Sequence, residues 1–394
     1  MSKKVYFVYS SDFLKYDLGK SHPFSPLRIQ LVTEMCWDMG ILLPEDLLSP
    51  RMAGPEELLL VHSERYIKMV KQAGAAGKCL PGCERYNLGT EDNPVFSGMH
   101  EAASLIVGGT LVAADYIMQG KADHVLHIAG GLHHAMHDQA SGFCIYNDAA
   151  VAIAYLKQKY GARVAYIDID AHHGDGVQWA FYSDPEVLTI SFHESGRYLF
   201  PGTGDIYERG IGRGYGYTVN VPLEPFTEDD SLIDCFYRVV PSFIDAFRPD
   251  IIISQNGCDG HALDPLSHLS VTTRAYKKLT QAIHQLAHDY AQGRWIALGG
   301  GGYDYWRVVP RVWTSLWGEV SGREVSPEVP YVWLDKFARQ SPVELPLFME
   351  DSPEDFPPKP RRAEISGINW QRVEKLMYGQ HLLKPAAVPL TKTF

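Results

Sequence analysis

Seven short runs rich in β-branched and aromatic residues punctuate the chain. They are VYFVY (5–9), HVLHIA (124–129), RVAYIDI (163–169), EVLTISF (186–192), YTVNVPL (217–223), DIIISQ (250–255) and RWIALGG (294–300). Most lack polar/apolar alternation, the pattern of strands that are covered on both faces. Helical segments at 97–119, 147–160, 228–247 and 272–291 separate many of them. Alternating strands and helices predict an α/β fold: a single-domain parallel β-sheet with helices on both faces. In such sheets the ligand crevice lies at the carboxyl ends of the strands. The segment 20–75 reads as helices broken by Pro and Gly, without a clear strand. Ten of the 25 prolines lie in the last 74 residues, including FPPKP (356–360). Residues 1–320 are therefore expected to form the main domain, and 321–394 a Pro-rich extension packing on that same domain.

At 394 residues the chain can bury a substantial core. Its formal charge of −11 argues against a phosphate-backbone binder, which needs a basic face, so no nucleic-acid partner is expected. The start, MSKKVYFVYSSDF, has too few apolar residues for a secretory signal. No run approaches the roughly 18 apolar residues of a membrane span. Six scattered cysteines, with only a C-x-x-x-C at Cys79 and Cys83, read as reduced thiols in a cytoplasmic protein. The run GGGG (299–302) follows a strand, but no phosphate-binding G-x-G-x-x-G or G-x-x-x-x-G-K-[ST] is present, so it reads as close backbone approach around a site. His284 and His288, on the helical segment 272–291, read as surface or core polar groups.

The stretch YIDIDAHHGDG (166–176) begins like a buried strand and then fills with charge. Asp168, Asp170, Asp175, His172 and His173 crowd into it, and an ionised carboxylate in an apolar interior costs several kcal/mol unless compensated. Strand alternation predicts one face for Asp168, Asp170 and His172. Other strand ends carry similar loads: GGLHHAMH (130–137) has His133 and His134, SQNGCDGHALDP (254–265) has Asp259, and IALGGGGYDYW (296–306) has Tyr303. A divalent metal would compensate the carboxylates, with Asp170, His172 and Asp259 as an O/N/O ligand set and a fourth position open to water. Zn(II), Fe(II) and Co(II) all suit such donors. The competing reading is a buried hydrogen-bonded network without metal.

These motifs together resemble the zinc-dependent histone deacetylase family, of the arginase/deacetylase fold. The resemblance runs through HPFSPLR (22–28), EDNPVF (91–96), GGLHHA (130–135), SGFCIYND (141–148), YIDIDAHHGDGVQ (166–178), FPGTGD (200–205), GCD (257–259) and LGGGGY (298–303). The string QNGCDGHALDPLSHL (255–269) is similar to the bacterial acetoin-utilisation branch.

The resemblance implies a three-layer sandwich whose domain 1–320 is the catalytic one. It implies zinc, with iron(II) as the alternative in vivo, on Asp170, His172 and Asp259. It implies proton transfer by His133 and His134, oriented by Asp168 and Asp175 respectively, and oxyanion stabilisation by Tyr303. Phe143 and Phe200, with Gly142, match the acyl-lysine tunnel, and Asp92 matches a rim residue that holds the substrate backbone. Potassium is implied at backbone carbonyls of Asp168, Asp170, His172, Ser191 and Phe192. A second, outlying potassium would use Phe181, Asp184, Val187 and Tyr217. The implied reaction is hydrolysis of acetyl-lysine in a protein, an acyl-CoA synthetase being one candidate.

Departures from the family pattern also count. Ser25, Pro265 and Trp306 stand where the nuclear enzymes carry basic residues, so no inositol-phosphate-dependent corepressor assembly is expected. Acetylpolyamine hydrolysis is the nearest alternative, since it shares the metal and histidine set. A two-manganese ureohydrolase would need an acid where His261 stands. A catalytically silent acyl-lysine or small-molecule binder would be expected to lack Tyr303 or a metal ligand.

Overall fold

A computed structural model of the chain describes residues 4–383. The first residues of the amino-terminal stretch and the end of the Pro-rich extension, 384–394, lie outside them. The strands are β1 (Val5–Val8), β2 (Leu47–Leu48), β3 (His124–His127), β4 (Val164–Asp168), β5 (Val187–Glu194), β6 (Thr218–Leu223), β7 (Ile251–Gln255) and β8 (Trp295–Leu298). All pair in parallel, in the order β2-β1-β3-β8-β7-β4-β5-β6. Each of the seven apolar runs forms one of these strands. The eighth, β2, corrects the expectation of no strand in 20–75: at two residues it has no periodicity to read, and only its pairing with β1 defines it.

Helices cover both faces. In chain order they are α1 (Leu27–Asp38), α2 (Pro55–Leu58), α3 (Glu64–Ala76), α4 (Met99–Met118), α5 (Asp148–Tyr160) and α6 (Asp175–Ala180). There follow α7 (Asp229–Phe247), α8 (Thr273–Tyr290), α9 (Val309–Ser321), α10 (Tyr331–Phe337) and α11 (Arg362–Met377). One layer packs α4 between α3 and α5; the other runs α1, α9, α8, α7. Central strands are buried at every position, which explains their missing alternation. By length and composition alone α4 could cross a membrane, which corrects the expectation that no segment has that character. Its apolarity comes from a core role: Ala103, Val107, Leu111 and Ala114 are fully buried in the main core.

The last part of the chain is less irregular than its prolines suggest. On α10, Trp333 and Phe337 join Val329, Leu345 and Met349 in a cluster with Leu31 and Met35 of α1 and with Trp306. The α11 helix lies against α7 and β6, burying Val373 and Leu376 in the main core.

Candidate active site

Four loops at the carboxyl ends of β3, β4, β7 and β8 meet above the sheet. Strand β4 ends at Asp168, so Asp170 and His172 lie in the following loop and not on a strand face. That corrects the alternation argument: the chain turns before a second strand repeat, and side-chain bonding to the backbone sets their directions. The Asp170 N–H donates to Asp168 Oδ1 (3.1 Å), and the His172 N–H to Asp170 Oδ1 (2.9 Å). The Ala171 N–H reaches across to Asp259 Oδ1 (2.8 Å), tying the β4 and β7 loops together.

The outcome is a buried triad. His172 Nδ1 lies 2.8 Å from Asp259 Oδ2 and 3.2 Å from Asp170 Oδ1, and ligand atoms of all three residues fall within 4.8 Å of one another. Two carboxylates and one imidazole form a net-negative donor set of the kind that binds zinc or iron(II). The surrounding backbone is shaped to it. A Cβ on Gly301 would lie 2.1 Å from Asp259 Oδ2, and one on Gly257 2.1 Å from Asp170 Oδ2. Donors steady the far side of Asp170, from Gln255 Nε2 and the Gly301 N–H (both 2.6 Å to Oδ2). These residues fit a divalent cation.

Beside the triad stand the tandem histidines. His133 Nδ1 lies 2.8 Å from Asp168 Oδ2, and His134 Nδ1 lies 2.6 Å from Asp175 Oδ1. Their Nε2 atoms are 3.0 Å apart, and His133 Nε2 is 3.9 Å from Asp170 Oδ1. Burial pulls His133 down, but Asp168 and Asp170 outweigh it and raise it to about 9. His134 goes the other way, to about 4, through burial and repulsion from His133. Asp148, at the start of α5, carries the loop that holds both, accepting from the backbone N–H of Gly131 (3.0 Å) and Leu132 (2.8 Å). Asn147 donates from Nδ2 to the carbonyls of His133 (3.0 Å) and Ala135 (3.1 Å).

Aromatic rings line the approach. Phe143 meets Tyr303 edge-on with centroids 5.7 Å apart; Phe200, 45% exposed, meets His134 at 5.1 Å. Tyr303 lies 6.5 Å from His172 by ring centroids, and its N–H donates to Asp264 Oδ2 (2.7 Å). Burial, then Asp259 and Asp170, keep the Tyr303 hydroxyl protonated. Asp264 is itself raised to about 8 by burial and by Asp259. Asp92 is exposed in the loop before α4. The neighbouring Asn93 is fully buried and accepts the Phe143 N–H (3.1 Å).

Several positioning residues have no role legible from the sequence, although Arg28 and Tyr166 lie within its motifs. Tyr16 donates its hydroxyl to the Phe143 carbonyl (2.7 Å) and accepts the Ile145 N–H (3.0 Å). Arg28 donates to the carbonyl of Gly300 (2.8 Å) and Tyr166 to Asp168 Oδ2 (2.7 Å). His173 turns away, bonding Thr203 (2.8 Å) and Gln178 (2.9 Å). Of the positions considered for potassium, Asp168 pairs with Ser191 across β4 and β5, Phe192 follows it, and Asp170 and His172 sit just beyond. In the outlying set, the Phe181 carbonyl accepts the Asp184 N–H (2.9 Å), and the Tyr217 carbonyl accepts the Thr189 N–H (3.0 Å) two residues into β5 from Val187. A cavity of about 1080 Å³ lies elsewhere, between α9 and the segment 344–356.

Comparisons with known proteins bear on this site. A family model described as the histone deacetylase domain matches residues 22–320. The chain is 52% identical over 373 residues to acetoin utilization protein AcuC of Bacillus subtilis (strain 168), covering 94% of this chain and 96% of that one. It is 42% identical over 378 residues to AcuC of Staphylococcus xylosus, covering 96% and 98%. Among solved structures, an HDAC homologue complexed with SAHA superposes with a TM-score of 0.83 at 31% identity, covering 95% of this chain and 100% of that one. An HDAC homologue from Aquifex aeolicus gives 0.84 at 31% identity, with the same coverage.

Proposed function

The chain belongs to the histone deacetylase family, and on that premise we propose that it hydrolyses the acetyl amide of acetyl-lysine in proteins. The observation that carries this reading is the pair of His–Asp dyads abutting the Asp170–His172–Asp259 triad beneath Phe143 and Phe200. A divalent metal on the triad, zinc or iron(II), would supply Lewis acidity that polarises the amide carbonyl and acidifies a water. The protein's own groups do the remaining work. Asp168 and Asp175 each accept from an imidazole Nδ1, which leaves both Nε2 atoms to exchange protons at one spot. One of the pair takes a proton from water, and one returns it to the leaving lysine amine. Tyr303 donates a hydrogen bond to the developing oxyanion, an interaction strongest in the transition state. Phe143 and Phe200 flank the acyl chain, with Gly142 between them, while Asp92 on the rim accepts from substrate backbone N–H groups.

Backbone carbonyls of the β4 and β5 ends would hold potassium, offsetting the buried carboxylates. Relatives named for acetoin utilisation support a cytoplasmic enzyme acting on an acetylated metabolic protein, with an acyl-CoA synthetase as one candidate. The test is Tyr303→Phe on an acetyl-lysine peptide with metal measured in the same sample. Turnover should fall about 100- to 1000-fold, the usual effect of losing one oxyanion donor, with metal content unchanged. Retained turnover overturns the mechanism, and a higher kcat/KM on acetylpolyamines than on acetyl-lysine peptides overturns the substrate class.

A further inference from the structure

At the amino ends of the strands, across the sheet from the candidate active site, three imidazoles meet. The spacing HQLAH (284–288) puts His284 and His288 one turn apart on the same face of α8. His124 opens β3, paired in register with Trp295. The reading of His284 and His288 as isolated polar groups is thus corrected: β3 and α8 are far apart in sequence, and only the packing of α8 on the sheet brings them together.

Their geometry is that of a ligand set. His284 Nε2 lies 3.1 Å from His124 Nε2 and 3.0 Å from His288 Nε2, and ring nitrogens of all three fall within 4.8 Å of one another. Nitrogens bound tetrahedrally to zinc at about 2.0–2.1 Å stand about 3.3–3.4 Å apart. On α9, Glu319 Oε1 lies 2.6 Å from His284 Nδ1. A carboxylate there keeps the proton on Nδ1 and turns the Nε2 lone pair toward the other two rings. A cation at the point where the three rings meet would engage all three ring nitrogens at once. Trp295 stacks on the His284 ring at 5.4 Å and 24°, fixing its plane. His124 is fully buried, His284 nearly so and His288 exposed, which leaves one side open for entry and for a water ligand.

We propose that His124, His284 and His288, with His284 oriented by Glu319, bind a divalent first-row transition cation, with zinc preferred for a three-imidazole set. The site clamps α8 to the start of β3 and is separate from the Asp170–His172–Asp259 triad. The test strips the full chain with a chelator, dialyses it against zinc and counts bound metal per chain, with circular dichroism to verify folding. His288→Ala changes an exposed residue and should weaken one zinc equivalent at least about tenfold, as expected for loss of a ligand. The pair His284→Gln with His288→Ala should remove that equivalent. Unchanged zinc count and affinity in both variants overturn the proposal. The difference between variants and wild type reads this site alone, whatever the triad binds or the enzyme hydrolyses.

Discussion

An alanine at Gly142 would put its methyl carbon 2.4 Å from Cδ2 of His134 and 3.0 Å from the Phe200 ring. The backbone there has φ +49°, a left-handed conformation that already disfavours a side chain. Relief requires His134 to move, and a displacement of about 1 Å at a proton-transfer group costs on the order of 100-fold. Gly142→Ala is therefore expected to lower kcat/KM on an acetyl-lysine peptide by about that factor while the bound-metal content holds. Near-normal turnover would show that the loop yields and His134 stays put. At this scale the sequence was informative where carboxylates, imidazoles or a tyrosine crowd a strand end, and not for every residue a motif contains. Tyr16, Arg28, Asn93, Asn147 and Asp148 were not legible as positioning groups, because a single polar residue does not show which backbone group it will bond. Tyr16 finds its partners some 130 positions away, at Phe143 and Ile145.

The loop after β3 depends on an element that has no chemistry of its own. His62, in the turn before α3, accepts the Asn147 N–H at Nε2 (3.0 Å) and donates from Nδ1 to the Met136 carbonyl (2.9 Å). Asn147 in turn caps α5 and holds the His133–Ala135 backbone. Burial pulls His62 down to about 4, so it is neutral in the fold, whereas the unfolded imidazole titrates near about 6.5. Between those values the unfolded chain binds a proton that the native one refuses. Stability is then fully present above about pH 6.5 and falls as pH drops toward 4, by about 3 kcal/mol for this group. His127, lowered to about 3 by burial, acts in the same sense. Urea midpoints measured from pH 7 to 4 should decline in the wild type and decline less in His62→Gln. Parallel slopes would remove His62 from the account. Strands were legible here as continuous β-branched apolar runs and long helices by their period; β2, with two residues, offers neither.

Among the described residues, the segment from Val329 to Leu376 packs onto the main body. Trp333 is buried against Leu31, Met35 and Trp306, and its Nε1 donates to the Leu31 carbonyl (3.0 Å). Trp306 lies three residues beyond Tyr303, so this cluster also backs the loop that bears the candidate oxyanion donor. Asp351 reaches further in, accepting from Arg311 Nη1 (2.8 Å), the Thr273 N–H (2.8 Å) and His261 Nε2 (2.8 Å). Trp333→Ala should cost about 3–5 kcal/mol, the usual range for an aromatic removed from a core, seen as a lower urea midpoint. A change under about 1 kcal/mol, the scale of a surface substitution, would mean the segment packs loosely. The sequence alone determined the strand runs, the long helices, and which carboxylates, imidazoles and tyrosine crowd the strand ends, because hydrophobic period and motif spacing are local properties. Tertiary structure decided how Asp170 and His172 turn beyond β4, where the last helices dock, and that His124 meets His284 and His288. Those outcomes depend on contacts between distant segments, whose partners are chosen by packing and which leave no periodic trace in either segment.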